Sequence, residues 1–99
     1  MIIVSQDKNT LVNFNNVDNI DIVADLTRAV SYSICYETST KREELGEYET
    51  EERAREVLQE IIKKYETSMC SLGKNIISIK NIYVYEMPEM WKEENKRWR

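Results

Sequence analysis

The stretch "LGEYETEERAREVLQEIIKKY", Leu45–Tyr65, decides the fold, because it passes from a short strand into a helix with one apolar face. Leu45–Tyr48 has strand composition, and Thr50 is a helix N-cap whose hydroxyl satisfies a free backbone N–H of the first turn. Glu51 and Glu52 put negative charge at the positive end of the helix dipole, and Lys63 and Lys64 put positive charge near the other end. Ala54, Val57, Leu58, Ile61, Ile62 and Tyr65 recur at helical spacing and form one stripe, as expected of a helix lying on a sheet. The remaining positions are charged or polar. Glu51 with Arg55 and Glu60 with Lys64 make i, i+4 pairs worth ~0.2 to 0.5 kcal/mol each.

Upstream of this stretch the chain reads as a β-meander. Ile2–Ser5, Leu11–Phe14 and Val17–Ala24 are strand-like, separated by turn composition at Gln6–Asn9 and Asn15–Asn16. Asp25–Arg28 reads as a hairpin connection. The next run, "AVSYSICYE", alternates cleanly, with Val30, Tyr32, Ile34 and Tyr36 in one phase and Ser31, Ser33 and Cys35 in the other, which predicts a central strand. Thr38–Glu44 is polar and predicts a loop.

Downstream, Ser71–Asn75 breaks the helix, and "IISIKNIYVYEM" returns to strand composition with a slip of phase at Lys80–Asn81 that predicts a bulge. Pro88 ends that strand. The expected architecture is therefore α+β: one antiparallel sheet of five to six strands with a single amphipathic helix on one face, in the order β-β-β-β-β-α-β. Residues 1–88 form the domain, and residues 89–99 form a basic, aromatic tail or short helix.

At 99 residues one hydrophobic core is all the chain has room for, and a domain this small buries only ~65% of the surface of its unfolded chain. Self-association is a natural source of further stability, so a homo-oligomer is expected. Charged residues make up 32%, which fits a folded soluble domain. No apolar run approaches a membrane span, and Met1–Val4 is too short for a signal-peptide core, so a location in the cytoplasm, free of the membrane, is expected. In that compartment Cys35 and Cys70 are expected as thiols.

The chain contains no histidine, which excludes Ser-His-Asp and Cys-His nucleophiles and His-ligated metals. With two glycines it has no Gly-rich phosphate cradle. No metal cluster or nucleophile–base pair stands out, so a non-enzyme without a cofactor is expected. The net charge of -4 argues against neutralising the phosphates of duplex nucleic acid.

Three features remain as candidates. Ser5-Gln6-Asp7 is read as a turn whose side chains satisfy nearby backbone, ahead of a polar binding loop. Tyr32 and Tyr36, with Tyr83 and Tyr85, are read first as cross-strand packing. As a binding set, Tyr32 and Tyr36 would stack a base while Arg28 and Arg42 met phosphate. Trp91 and Trp98 lie seven residues apart among Lys92, Lys96, Arg97 and Arg99. Two exposed indoles are unfavourable unless covered, so they are assigned to an oligomer interface.

"MIIVSQDKNTLVNF", "LGEYETEERAREVLQEI" and "IYVYEMP" together resemble a family of small uncharacterised proteins of phages and prophages of Gram-positive bacteria. That family opens with an apolar strand followed by Ser-Gln-Asp, and its helix begins Gly-x-Tyr-x-Thr-Glu-Glu. The resemblance spans most of residues 1–88 and implies a mobile-element origin without a known chemistry. It points to an accessory protein acting by binding, with a host defence protein or a nucleotide signal as the target. The alternative is an oligomeric structural or morphogenesis component of a virion.

Overall fold

The computed structural model describes residues 1–27, 30–70 and 84–90. Six strands and one helix follow the order β1 (Ile2–Val4), β2 (Leu11–Asn13), β3 (Asn19–Asp25), β4 (Ser31–Glu37), β5 (Arg42–Tyr48), α1 (Glu51–Cys70) and β6 (Val84–Glu86). The α+β class and the element order agree with the sequence reading. The sheet does not: the strands form two three-stranded sheets, β2-β1-β6 and β3-β4-β5.

The division falls at Phe14–Asn16. The Asn13 side chain accepts a hydrogen bond from the Asn15 N–H at 3.0 Å and winds these residues into a 3-10 turn. Phe14 thereby leaves the strand and packs edge-on against Tyr65 of α1, ring centroids 5.1 Å apart. A second departure is the β1–β6 pair, which is parallel, with Ile3 opposite Tyr85, while β1–β2 is antiparallel, with Ile3 opposite Val12. Parallel neighbours need a long crossover, and everything between β1 and β6 supplies it.

The expected loop Thr38–Glu44 shrinks to a turn at Thr38–Lys41. It is closed by the Thr38 N–H donating to the Lys41 carbonyl at 2.8 Å, and Arg42–Glu44 join β5. Ile34 then pairs with Gly46 and Cys35 with Glu44, leaving Leu45 as the extra residue of a bulge. Its side chain is buried in the core.

Thr50 caps α1, its hydroxyl accepting from the Arg53 N–H at 3.0 Å. Ala54, Val57 and Ile61 are fully buried, and Leu58 and Tyr65 are partly so. Ile62 departs from the predicted stripe, being 41% exposed. It sits about 100° round the helix from Ile61, at the margin of the contact. Because α1 runs to Cys70, Lys63 and Lys64 lie short of its last turn. The helix covers one face of β3-β4-β5, and the core is completed by Ile3, Val12 and Met87 from the smaller sheet.

The Gln6 side chain helps to join the two sheets. The Gln6 amide accepts from the Glu47 N–H at 3.0 Å, donates to the Glu47 carbonyl at 2.9 Å and donates to the Pro88 carbonyl at 3.1 Å. The Gln6 N–H also donates to the Leu45 carbonyl at 2.8 Å. The amide thus acts as one further residue of a ladder along β5. Gly46 allows the approach: a Cβ there would lie 3.3 Å from the Gln6 Cβ and the Met87 Cε, and 3.0 Å from the Tyr48 hydroxyl. The expected bulge at Lys80–Asn81 and the tail at 91–99 lie outside the described residues.

Candidate interaction surface

Strand alternation and register sort the side chains of β3-β4-β5 onto two faces. Ile20, Ile22, Tyr32, Ile34 and Tyr36 face α1 and the core. Ser31, Ser33, Cys35 and Glu37 of β4 face the other way, together with Asp21, Val23 and Asp25 of β3 and Arg42, Glu44 and Glu47 of β5. Among the described residues no helix or strand packs on this outer face.

The outer face is polar and predominantly acidic. Arg42 reaches across the central strand above Cys35 to Asp21, Nη2 to Oδ1 at 2.7 Å, and its Nη1 lies 3.9 Å from Glu37. The Asp21 carboxylate holds the guanidinium pKa above its ordinary value. Ser33 donates to Glu44 at 2.6 Å. With Arg42 engaged, Asp25, Glu44 and Glu47 remain without a cationic partner among the described ion pairs. The middle of the face, Ser31-Ser33-Cys35, has small side chains, of which Ser31 and Ser33 are buried, and Val23 supplies exposed apolar surface beside it. Cys35 is a free thiol whose pKa is pushed up by burial, which keeps it protonated and weakly nucleophilic at neutral pH.

This sorting separates the candidate nucleotide set. Tyr36 is only 2% exposed, and its hydroxyl donates to Glu43 at 3.2 Å. Tyr32 lies half-buried on the same inner face. Arg42 is on the opposite face in ion pairs, so the structure does not bring it together with the two tyrosines. Arg28, Trp91 and Trp98 lie outside the described residues.

Ser5-Gln6-Asp7 forms a self-satisfied turn. Ser5 Oγ donates to Asp7 Oδ1 at 2.6 Å, the Asn9 N–H donates to the same oxygen at 2.9 Å, and the Thr10 N–H donates to Ser5 Oγ at 3.1 Å. Lys8 takes a left-handed conformation, φ 66°, at its tip. These bonds, the Ser5 hydroxyl first, hold the Asp7 pKa below the ordinary carboxylate value. Between the turn and Glu44–Gly46 lies a polar cleft of about 80 Å³. Ligand pockets run from about 300 Å³, so this one suits a few waters and not a nucleotide.

Of two further tyrosines, Tyr48 is fully buried and Tyr85, in β6, is partly buried. Tyr48 donates to the Pro88 carbonyl at 2.8 Å, and Tyr85 donates to Glu60 at 2.7 Å. Burial raises both pKa values, and the Glu60 acceptor raises that of Tyr85 further.

The sequence reading did not single out the acids of the outer face. Their signal was the second phase of the β3 and β4 alternations, which carries Asp21 and the Ser-Ser-Cys lane. No helix among the described residues is long and apolar enough to cross a membrane. Comparisons with protein-family models, with curated proteins and with solved structures each found no match to this chain.

Proposed function

We propose that the chain is a non-catalytic accessory protein of a phage or prophage. It acts in the host cytoplasm by binding, and its working surface is the outer face of β3-β4-β5. The observation that carries this reading is the row of carboxylates on that face, Asp25, Glu44 and Glu47, which have no cationic partner among the described ion pairs. A basic protein surface matches that chemistry, so a host defence protein is favoured over a nucleotide signal, which a face of carboxylates repels. The resemblance of the Ser-Gln-Asp and Gly-x-Tyr-x-Thr-Glu-Glu segments to phage proteins supplies the biological setting. The virion-component alternative draws support from a different feature: β3 is the edge of its sheet with no described strand beside it, an arrangement that permits strand addition between copies.

Plating a phage on a Gram-positive host that carries a defence system and expresses this chain tests the reading. The wild type should restore plaques, and Asp25→Lys with Glu47→Lys should abolish restoration without lowering the melting temperature. Equal restoration by that variant would move the function off this face. Recovery of the chain from purified particles would favour the virion role. A calorimetric response to cyclic or linear nucleotides would restore the nucleotide target.

A further inference from the structure

We propose that two copies of the chain join through β3, which pairs antiparallel with its counterpart about a two-fold axis at Ile22 and makes one continuous sheet. Among the described residues β3 has no strand on its free side, and it is the edge least guarded against pairing. β2 and β6 are three residues long. β5 is broken by the bulge at Leu45, and Gln6 lies along it, its N–H on the Leu45 carbonyl at 2.8 Å. β3 runs for seven residues in unbroken register with β4 and contains no lysine or proline. Its two aspartates sit on the outer face, so no charge points inward to block a second strand.

The register singles out a second copy of β3 as the occupant. Faces continue across an antiparallel pair only when inward residues stand opposite inward residues. An axis at Ile22 meets that condition and uses the whole strand. Ile20 faces the partner's Ala24, Asp21 faces the partner's Val23, and Asp25 faces the partner's Asn19, so no two carboxylates are directly opposed. An axis at Asp21 would set that carboxylate against its own counterpart, and an axis at Val23 would set it against the partner's Asp25. Arg42 also neutralises Asp21, at 2.7 Å.

Apolar side chains beside β3 agree with this edge. Arg53 lies over the Tyr48 ring, 6.0 Å from its centroid, and Glu60 accepts from Tyr85, so that flank of α1 is turned toward β5 and β6. Ile62 is about 180° round the helix from Arg53, on the flank toward β3, and is 41% exposed. Leu58 beside it is partly buried, and Leu26, just past β3, is 67% exposed. Pairing sets the two helices side by side on one face of the joined sheet, where these flanks cover each other and give a small domain buried surface that it lacks alone. The acidic outer face stays open, so the inference does not depend on what binds there. One edge used by both copies closes the assembly at two.

Light scattering on the full-length chain tests the proposal, with the wild type expected at the mass of a dimer. Val23→Asp brings a new carboxylate opposite Asp21 at both ends of the pairing and should give a folded monomer, while Val23→Lys should stay a dimer. Crosslinking decides the matter even if the aspartate variant fails to fold. In a Cys35→Ser, Cys70→Ser background, Asn19→Cys with Asp25→Cys should form an intermolecular disulfide on mild oxidation, and neither change alone should do so. A monomeric wild type, a dimer that survives Val23→Asp unchanged, or crosslinking by Asn19→Cys alone as readily as by the pair would each overturn the proposal.

Discussion

At Gln6 a single amide satisfies both backbone groups of Glu47 and one of Pro88, and so carries the junction between two sheets. Gln6→Ala should cost about 2 to 3 kcal/mol, since each net hydrogen bond contributes about 1 kcal/mol and the Glu47 N–H loses its acceptor. Gln6→Glu should be at least as damaging at neutral pH, because a carboxylate meets two carbonyl oxygens where the amide donated. Urea unfolding of the three proteins measures the order. Asp7 gives a pH prediction. Its pKa is depressed in the folded chain by the Ser5 hydroxyl and the Asn9 N–H, so its contribution is complete above the ordinary value of 3.8 and is lost as pH falls through the folded value. Carbon-detected titration of Asp7 should give a lower pKa in the wild type than in Ser5→Ala. The Ser5–Asn9 turn was legible in the sequence because its bonds are local. The role of Gln6 was not, because its partners lie forty-one and eighty-two residues away.

For the elements, what sequence revealed depended on whether a pattern had one structural meaning. Thr50, the two glutamates after it and the buried line Ala54-Val57-Ile61 fixed the start and the inward face of α1. Ile61→Asp should unfold the domain by burying an unpaired charge, while Gln59→Lys on the solvated side should leave the melting temperature unchanged. Ile62→Ser should fall between them, as its partial exposure requires. Circular dichroism melts check the ranking. The alternation of β4 was equally plain, whereas Arg42-Glu43-Glu44 looked like loop because a strand with one wet face tolerates charge there. Val84–Glu86 alternates identically in a parallel or an antiparallel pair, so its direction had no sequence signal.

Across the described residues, the elements place α1 on one side of β3-β4-β5 and no helix or strand on the other. The uncovered side is charged, so its exposure alone does not call for a partner as an apolar face would. The case for association comes from the acids Asp25, Glu44 and Glu47, which have no cationic partner among the described ion pairs. That face was only partly legible: the alternation of β3 and β4 placed Asp21, Ser33 and Cys35 together. The reach of Arg42 to Asp21, and hence its removal from any phosphate site beside Tyr32 and Tyr36, depended on the pairing of three strands. The central claim is that this protein acts by defined association through that surface. Plaque counts on a defended host expressing either the wild type or the Asp25→Lys, Glu47→Lys variant, matched in level and melting temperature, test it most directly: restoration by the wild type alone is the predicted result, and equal restoration by both would contradict it.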